Sequence, residues 1–336
     1  MAVSAMNNQS VAFRLEGLSK TFYPLIPWHR HRAVEAVRGI NLPVPRGCIL
    51  SLLGPNGAGK TTTIKMIAGL LLATHGSVTF YDEAGNELRS RPRLGAVLEG
   101  TRNLYWRLSP RENLYYFGEL KGLPLSQIRR ETDELLGMFD LADKARASTQ
   151  TLSRGMQQKV AVAIALLGGP EILLLDEPTL GLDVESSRLI QRRLRELVER
   201  ERCTIILTTH QMELAARVAD RIGIISHGRL IAEDSLANLI AFFRRQDYEL
   251  QLPAAEWERL RREVSQFKFT EEPGSLDAEV TVVFHLDNTA GYYALSERLL
   301  MLRPQFISLR QVTPSLEDIF LEITRHYSEE DAGGKL

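Results

Sequence analysis

Apolar residues recur along this chain in two rhythms. Unbroken runs bounded by turn residues read as buried strands, and residues repeating every three or four positions read as helices packed by one face. Ile49-Leu50-Ser51-Leu52-Leu53 is such a run, and Ile64, Met66, Ile67, Leu70 and Leu71 behind it predict a helix. Val11–Leu18 reads as a strand, Ala33–Pro43 alternates as further strand, and Gly76–Tyr81 and Leu94–Leu98 read as two more. Ile172–Leu175, Cys203–Leu207 and Ile222–Ile225 complete the set. Between them, Ile190, Leu194, Leu197 and Val198 mark one helix and Met212–Ala219 another, with a turn at His227-Gly228. Strands alternating with helices predict a mostly parallel sheet.

The stretch 101–150 changes character and reads as helical. Ser109-Pro110-Arg111-Glu112 is a capping box with proline at the first helical position. Leu114, Phe117 and Leu120 predict its apolar stripe, Gly122 and Pro124 break it, and Ile128, Leu135, Leu136 and Phe139 predict a second helix. A third opens at Thr151–Lys159, with Ser153 as N-cap, Val160, Ile164 and Leu167 on its apolar side, and Gly168-Gly169-Pro170 at its end.

Beyond residue 238 the pattern starts afresh. Tyr248, Leu250 and Leu252 alternate; Pro253–Phe267 reads as a helix with Trp257, Leu260 and Val264 on one face; Lys268–Glu271 reads as a short strand before a turn at 272–275. Val280, Val282 and Phe284 alternate again, Thr289–Leu302 reads as a helix, Phe306–Val312 as a strand and Pro314–Leu321 as a closing helix. The order β-α-β-β-α-β suggests a small α+β ferredoxin-like unit. The expected organisation is a flexible N-terminus at 1–10, a main domain at 11–238 with a helical part at about 101–155, an accessory domain at 239–327 and a disordered polar tail at 328–336.

Composition narrows the classes. The 336 residues accommodate one large domain and a small one, and 44% apolar with 25% charged residues is ordinary for a globular protein. A net charge of −1 gives no support for a bulk nucleic-acid binder. Cys48 and Cys203 read as small buried hydrophobes of a reducing compartment. Met1–Val11 lacks a basic segment followed by an apolar one, so no signal peptide is expected. No apolar stretch approaches the ~20 residues of a membrane span, so a membrane role would come through a partner. His29 and His31 lack a third ligand and read as part of a solvated basic loop.

The chemistry concentrates after the first buried run. Gly54-Pro55-Asn56-Gly57-Ala58-Gly59-Lys60-Thr61-Thr62 fits the phosphate-loop pattern G-x-x-x-x-G-K-[ST] in its required context of strand, loop and helix. The glycines let backbone N–H groups converge on an anion, and the new helix adds its positive end. Lys60 is placed to reach the β- and γ-phosphates, and the Thr61 hydroxyl to bind Mg²⁺. Four apolar residues then deliver Asp176 and Glu177 to the carboxyl end of a strand, where ligands of open α/β sheets bind. Asp176 would hold Mg²⁺, and Glu177 would orient and deprotonate the attacking water.

Over residues 11–235 the sequence resembles the nucleotide-binding domain of ATP-binding-cassette (ABC) proteins. GPNGAGKTT (54–62) matches Walker A, ILLLDEP (172–178) Walker B, LSRGMQQ (152–158) the LSGGQ signature, LGLD (180–183) the D-loop and TTHQ (208–211) the switch histidine. The resemblance implies an α/β P-loop NTPase (RecA-like) core with an antiparallel β subdomain and an α-helical signature subdomain. It implies a head-to-tail dimer with two ATP molecules, each between Walker A of one copy and the signature of the other. Ser153 and the Gly155 N–H would then face a γ-phosphate across the interface, His210 would contact the γ-phosphate and hold the water against Glu177, and Phe22 would stack on adenine. Asp183 reads equally as a helix N-cap and as a contact between copies. Three residues depart from the family: Arg154 replaces the first signature glycine, Met156 a glutamine, and Glu99 the glutamine that contacts Mg²⁺ and water. Arg154 would add positive charge near the phosphates. A carboxylate at 99 would bind Mg²⁺ more strongly yet repel the γ-phosphate, so Glu99 is expected to be a Q-loop residue with a shifted role.

The closing segment Pro314–Leu321 resembles the C-terminal part of ATPases of ABC-2-type exporters. The function implied is that of an ATP-hydrolysing subunit of such a transporter. It would be peripheral on the inner face of the cell membrane and docked on separate permease subunits through the Q-loop and the 101–150 helices. The alternatives are a soluble ABC ATPase of translation or DNA repair and another P-loop enzyme, a kinase or GTPase. Against the first stands the single cassette without a long insert; against the second stand the signature, the switch histidine and the lack of an N-K-x-D motif. The transported substrate is not written in the sequence, because its contacts would belong to the permease.

Overall fold

Our structure is a computed structural model that describes residues 10–23, 33–98, 104–243, 246–273, 278–286 and 289–333. The chain opens with β1 (Val11–Phe22), β2 (Val34–Pro45) and β3 (Ile49–Leu53), enters helix α1 (Lys60–Ile67) and returns as β4 (His75–Phe80). β5 (Leu94–Val97) is followed by α2 (Pro110–Leu120), α3 (Leu125–Met138) and α4 (Arg154–Leu166). Then come β6 (Ile172–Asp176), α5 (Val184–Glu201), β7 (Thr204–Thr209), α6 (Met212–Val218), β8 (Arg221–Ser226) and β9 (Arg229–Ser235).

The fully apolar runs become the sheet's centre. β3, β6 and β7 are buried at every position and lie in a six-stranded sheet of order β5-β6-β7-β3-β8-β9. Its neighbours are parallel except for the antiparallel pair β8–β9. Burial on both faces is why these strands show no alternation. The longer, alternating β1 lies between β2 and β4 in a separate antiparallel sheet, with Phe13, Leu15 and Leu18 buried. Its side chains share a core with Leu50, Leu52 and Ile64, which binds the small sheet to the phosphate loop.

Two local expectations are corrected. β9 is absent from the sequence reading, yet it pairs with β8 through the two-residue turn His227-Gly228, both at positive φ (47° and 80°). That is the backbone of a tight hairpin. Its carboxylate Glu233 is ion-paired to Arg221 of β8, so charge helps to hold the strand. In α2, Leu120 is 65% exposed; the inward face is Pro110, Asn113, Leu114 and Gly118. Those residues repeat at three or four, and Leu120 falls off that stripe.

Buried Asn113 ties the α2 region together. Its Nδ2 donates to the carbonyls of Tyr105, Leu108 and Ser109 and to Thr149 Oγ1, and its Oδ1 accepts the Tyr105 N–H. Truncation to alanine orphans several of these groups. Asn113→Ala is therefore expected to destabilise the fold by about 2 kcal/mol, read as a lower urea midpoint at unchanged slope.

The chain divides into two compact units, one holding the chain up to Leu236 and again from Ile323, the other Ala237–Glu322. The second contains α7 (Leu236–Phe243), β10 (Gln246–Pro253), α8 (Ala254–Leu260), β11 (Lys268–Pro273), β12 (Glu279–Leu286), α9 (Thr289–Leu302), β13 (Ser308–Gln311) and the start of α10 (Leu316–Gly333). Its strands follow the order β11-β12-β10-β13, every neighbour antiparallel. Leu250, Leu252, Val282 and Phe284 form one core with Trp257 and Leu260 of α8 and Leu295 and Leu299 of α9. α8 is shorter than the expected helix to Phe267, and the last strand starts at Ser308, leaving Phe306 exposed. α10 runs to Gly333, into the stretch expected to be disordered. Residues 1–9, His29 and His31, and the turn at 274–275 lie outside the described residues.

Candidate functional site

The site collects at the carboxyl ends of β3, β6 and β7. β3 delivers the loop Gly54–Gly59, and Gly59 caps α1 with φ 104°. A side chain at 59 would begin 2.4 Å from the Ala36 carbonyl oxygen of β2, so only glycine lets the loop pass that wall. Behind it, the Ala58 carbonyl accepts the Gly228 N–H at 3.0 Å, which anchors the loop to the β8–β9 hairpin. Pro55, Asn56 and Gly57 are exposed at the loop's mouth, and Thr62 follows on α1.

Lys60 is buried at the first turn of α1, and its Nζ donates to the Gly54 and Pro55 carbonyls at 2.7 and 3.1 Å. Burial pulls its pKa below the ordinary lysine value, while the charges of Glu177 and Asp176 oppose the shift. The ammonium is thus desolvated, partnered only by neutral carbonyls and backed by two carboxylates. That arrangement suits a cation waiting for an anion.

Asp176 closes β6 with 6% of its surface exposed. Its Oδ2 accepts the Thr61 hydroxyl at 2.8 Å, and its Oδ1 accepts the Thr208 hydroxyl. Thr208 was not singled out from sequence as a partner of Asp176. The available signal is register, because Asp176 and Thr208 are directly paired across β6 and β7. Glu177 turns the chain out of the sheet at φ 48°, unusual for a residue with a side chain, and its N–H donates to the Thr208 carbonyl at 3.1 Å. Such strain at a strand end is held by its surroundings and marks functional positions. Glu177 Oε1 lies 2.8 Å from Nδ1 of His210, which is 46% exposed. Lys60, Thr61, Asp176, Glu177 and His210 therefore form one linked cluster, with Thr208 beneath it.

The donor set fits Mg²⁺. A threonine hydroxyl and a carboxylate oxygen lie side by side at the phosphate loop, and hard oxygen donors of this kind leave room for phosphate oxygens and water.

The other expected residues lie on other elements. Ser153 caps α4, its Oγ accepting the Met156 N–H at 3.3 Å, and Gly155 is buried in the first turn. Asp183 caps α5, its Oδ1 accepting the Ser186 N–H at 2.7 Å; that bond holds its carboxyl below the usual range. Among the described residues no hydrogen bond joins Ser153 or Gly155 to the Lys60–Glu177 cluster. The Arg154 guanidinium lies over Gly181. Phe22, 43% exposed at the end of β1, has the Lys20 ammonium 5.4 Å from its ring centroid. Glu99 lies outside the described residues.

Residues 37–180 match the family described as ABC transporter. Among curated proteins, the chain is 36% identical over 220 residues to the ABC transporter ATP-binding protein NatA of Bacillus subtilis, covering 65% of this chain and 89% of that one. It is 31% identical to the daunorubicin/doxorubicin resistance ATP-binding protein DrrA of Streptomyces peucetius, covering 97% of this chain and 96% of that protein. It is also 37% identical to a Nod factor export ATP-binding protein I of Burkholderia orbicola, over 86% of this chain and 91% of the relative. Among solved structures, a dimeric ATP-binding cassette in a post-hydrolysis state with ADP and Pi superposes at a TM-score of 0.59 and 28% identity. It covers 67% of this chain and 98% of that one.

Proposed function

The chain belongs to the family of ABC transporter ATP-binding proteins, and we propose that it hydrolyses ATP at a site completed by a second copy of itself to drive a separate membrane permease. ATP binding and hydrolysis come with the family, one of whose solved members holds ADP and Pi. The observation that carries the finer reading is the Glu177–His210 pair at 2.8 Å, set beside the buried Lys60 ammonium.

In this reading the loop from Gly54 to Thr62 wraps the phosphates with its backbone N–H groups. Lys60 exchanges the Gly54 and Pro55 carbonyls for phosphate oxygens. Thr61 and Asp176 hold Mg²⁺, which when bound neutralises phosphate charge. Glu177 takes the proton of a water aligned for in-line attack, and His210 holds that carboxylate and the water in place. Glu99 acts near the same water, and Phe22 stacks on the adenine. From the second copy, the Ser153 hydroxyl and the Gly155 N–H at the start of α4 meet the γ-phosphate, and Asp183 contributes to the contact between copies. The helix N-terminus favours an anion there.

No helix among the described residues is long and apolar enough to cross a membrane. We place the chain on the inner face of the cell membrane, held by permease subunits, with export as the direction. The names of the Nod factor export and drug-resistance relatives support export. They do not favour a soluble role in translation or DNA repair.

The test is turnover by the purified chain. His210→Ala should lower kcat about 10²-fold while ATP affinity stays within about twofold, because the histidine holds the base and water against the γ-phosphate while the loop and Lys60 carry most of the grip on the nucleotide. Wild-type kcat in that variant would contradict the assignment.

A further inference from the structure

Arg154 is the signature residue that departs most in chemistry from the family pattern, and its guanidinium meets a neighbouring turn of the same chain. It is the first residue of α4, where the positive end of the helix disfavours a cation reaching forward. A side chain at Gly181 would begin 3.1 Å from Arg154 Cζ and Nη1 and 3.4 Å from Nε, so the guanidinium covers the bare Cα of Gly181. Gly181 sits at φ 72° in the turn between Glu177 and the α5 cap. The turn is short and internally bonded: the Leu180 N–H donates to the Glu177 carbonyl, and the Leu182 N–H to the Thr179 carbonyl, both at 3.2 Å. The next signature residue makes the same approach. A side chain at Gly155 would begin 3.1 Å from Ser186 Oγ and 3.3 Å from Asp183 Oδ2. Two successive residues of α4 therefore lie against the Gly181 turn and the start of α5 that follows it.

We propose that Arg154 is a positioning residue: its guanidinium clamps the Gly181 turn to the signature helix of the same chain and so fixes the exit of the loop that carries Glu177. The inference rests on the reading of Glu177 as the base and of the site as shared between copies. Under that reading α4 of each copy serves one ATP and Glu177 of the same copy serves the other. The clamp then ties the capture of one nucleotide to the alignment of the second site. A flat guanidinium is suited to lying on a bare peptide; a lysine ammonium is compact, strongly hydrated and cannot reproduce it.

The test uses the purified full-length chain, steady-state ATP turnover and titration with a fluorescent ATP analogue. Arg154→Ala should lower kcat about tenfold, as displacement of a catalytic group by a fraction of an ångström does, with nucleotide affinity unchanged within twofold. Arg154→Lys should not restore it. Gly181→Ala should give a similar loss, and the double variant should lose no more than the worse single one, since both break one contact. Arg154 is exposed, so its variants fold even if Gly181→Ala is strained. Unchanged kcat in Arg154→Ala would overturn the inference, as would full restoration by lysine. So would a tenfold loss of nucleotide affinity in Arg154→Ala, which would mean that the cation serves phosphate. Glu177→Gln measured alongside separates the two levels. Retained turnover there would overturn the site reading and this inference together. Lost turnover there with normal Arg154→Ala would overturn the inference alone.

Discussion

Glu177→Gln should turn over ATP about 10²–10⁴-fold more slowly than the native chain, the range for removing a general base, while still binding ATP. The side chain keeps its length, and the amide can still bond to His210 Nδ1, now 2.8 Å from the carboxylate. The backbone at φ 48° is held by the N–H bond to the Thr208 carbonyl and does not depend on the side-chain charge. What disappears is the proton acceptor. Phosphate release in steady state measures the loss, and the fluorescent nucleotide titration measures retained binding. If both fall together, Glu177 belongs to binding rather than to chemistry.

Lys60→Ala should fail one step earlier, at binding. The ammonium is buried, bonded only to the Gly54 and Pro55 carbonyls, and depressed in pKa by its desolvation. A phosphate offers it charge-assisted bonds in place of two neutral ones. Such a bond contributes about 2–3 kcal/mol, and its loss corresponds to about 10²-fold in ATP affinity. The truncation also removes the Lys60 donor from the Gly54 carbonyl, while the Pro55 carbonyl keeps the Ala58 N–H at 3.2 Å. Affinity within about threefold of native would show that the backbone N–H groups and the helix end carry binding without Lys60.

Much of this site was legible because its residues lie in short contiguous runs. The phosphate loop, the carboxylates after ILLLD and the histidine after β7 each follow a buried apolar strand, and such strands declare themselves without alternation. The caps Ser109, Ser153 and Asp183 were legible for the same local reason. Contacts made through backbone were not. The Ala36 carbonyl that excludes a side chain at Gly59 belongs to another sheet, and nothing in its own residue type announces that wall. β9 was missed because its stability comes from a positive-φ turn and the Arg221–Glu233 pair rather than from an apolar rhythm. The contact of Arg154 with Gly181 was not legible, because a bare Cα offers a guanidinium a surface that no residue pattern announces. Thr208 was visible only once register put it opposite Asp176.

Ser153 caps α4 and Gly155 lies in its first turn, and no described hydrogen bond joins them to the Lys60–Glu177 cluster of the same copy. Under the proposed reading a single copy offers half of each site. The mass of Glu177→Gln in solution, by light scattering with and without ATP and Mg²⁺, tests this directly. A shared site requires a species of about twice the 37.9 kDa chain with nucleotide and a single chain without it. A nucleotide-loaded Glu177→Gln protein that stays at the mass of one chain would contradict it.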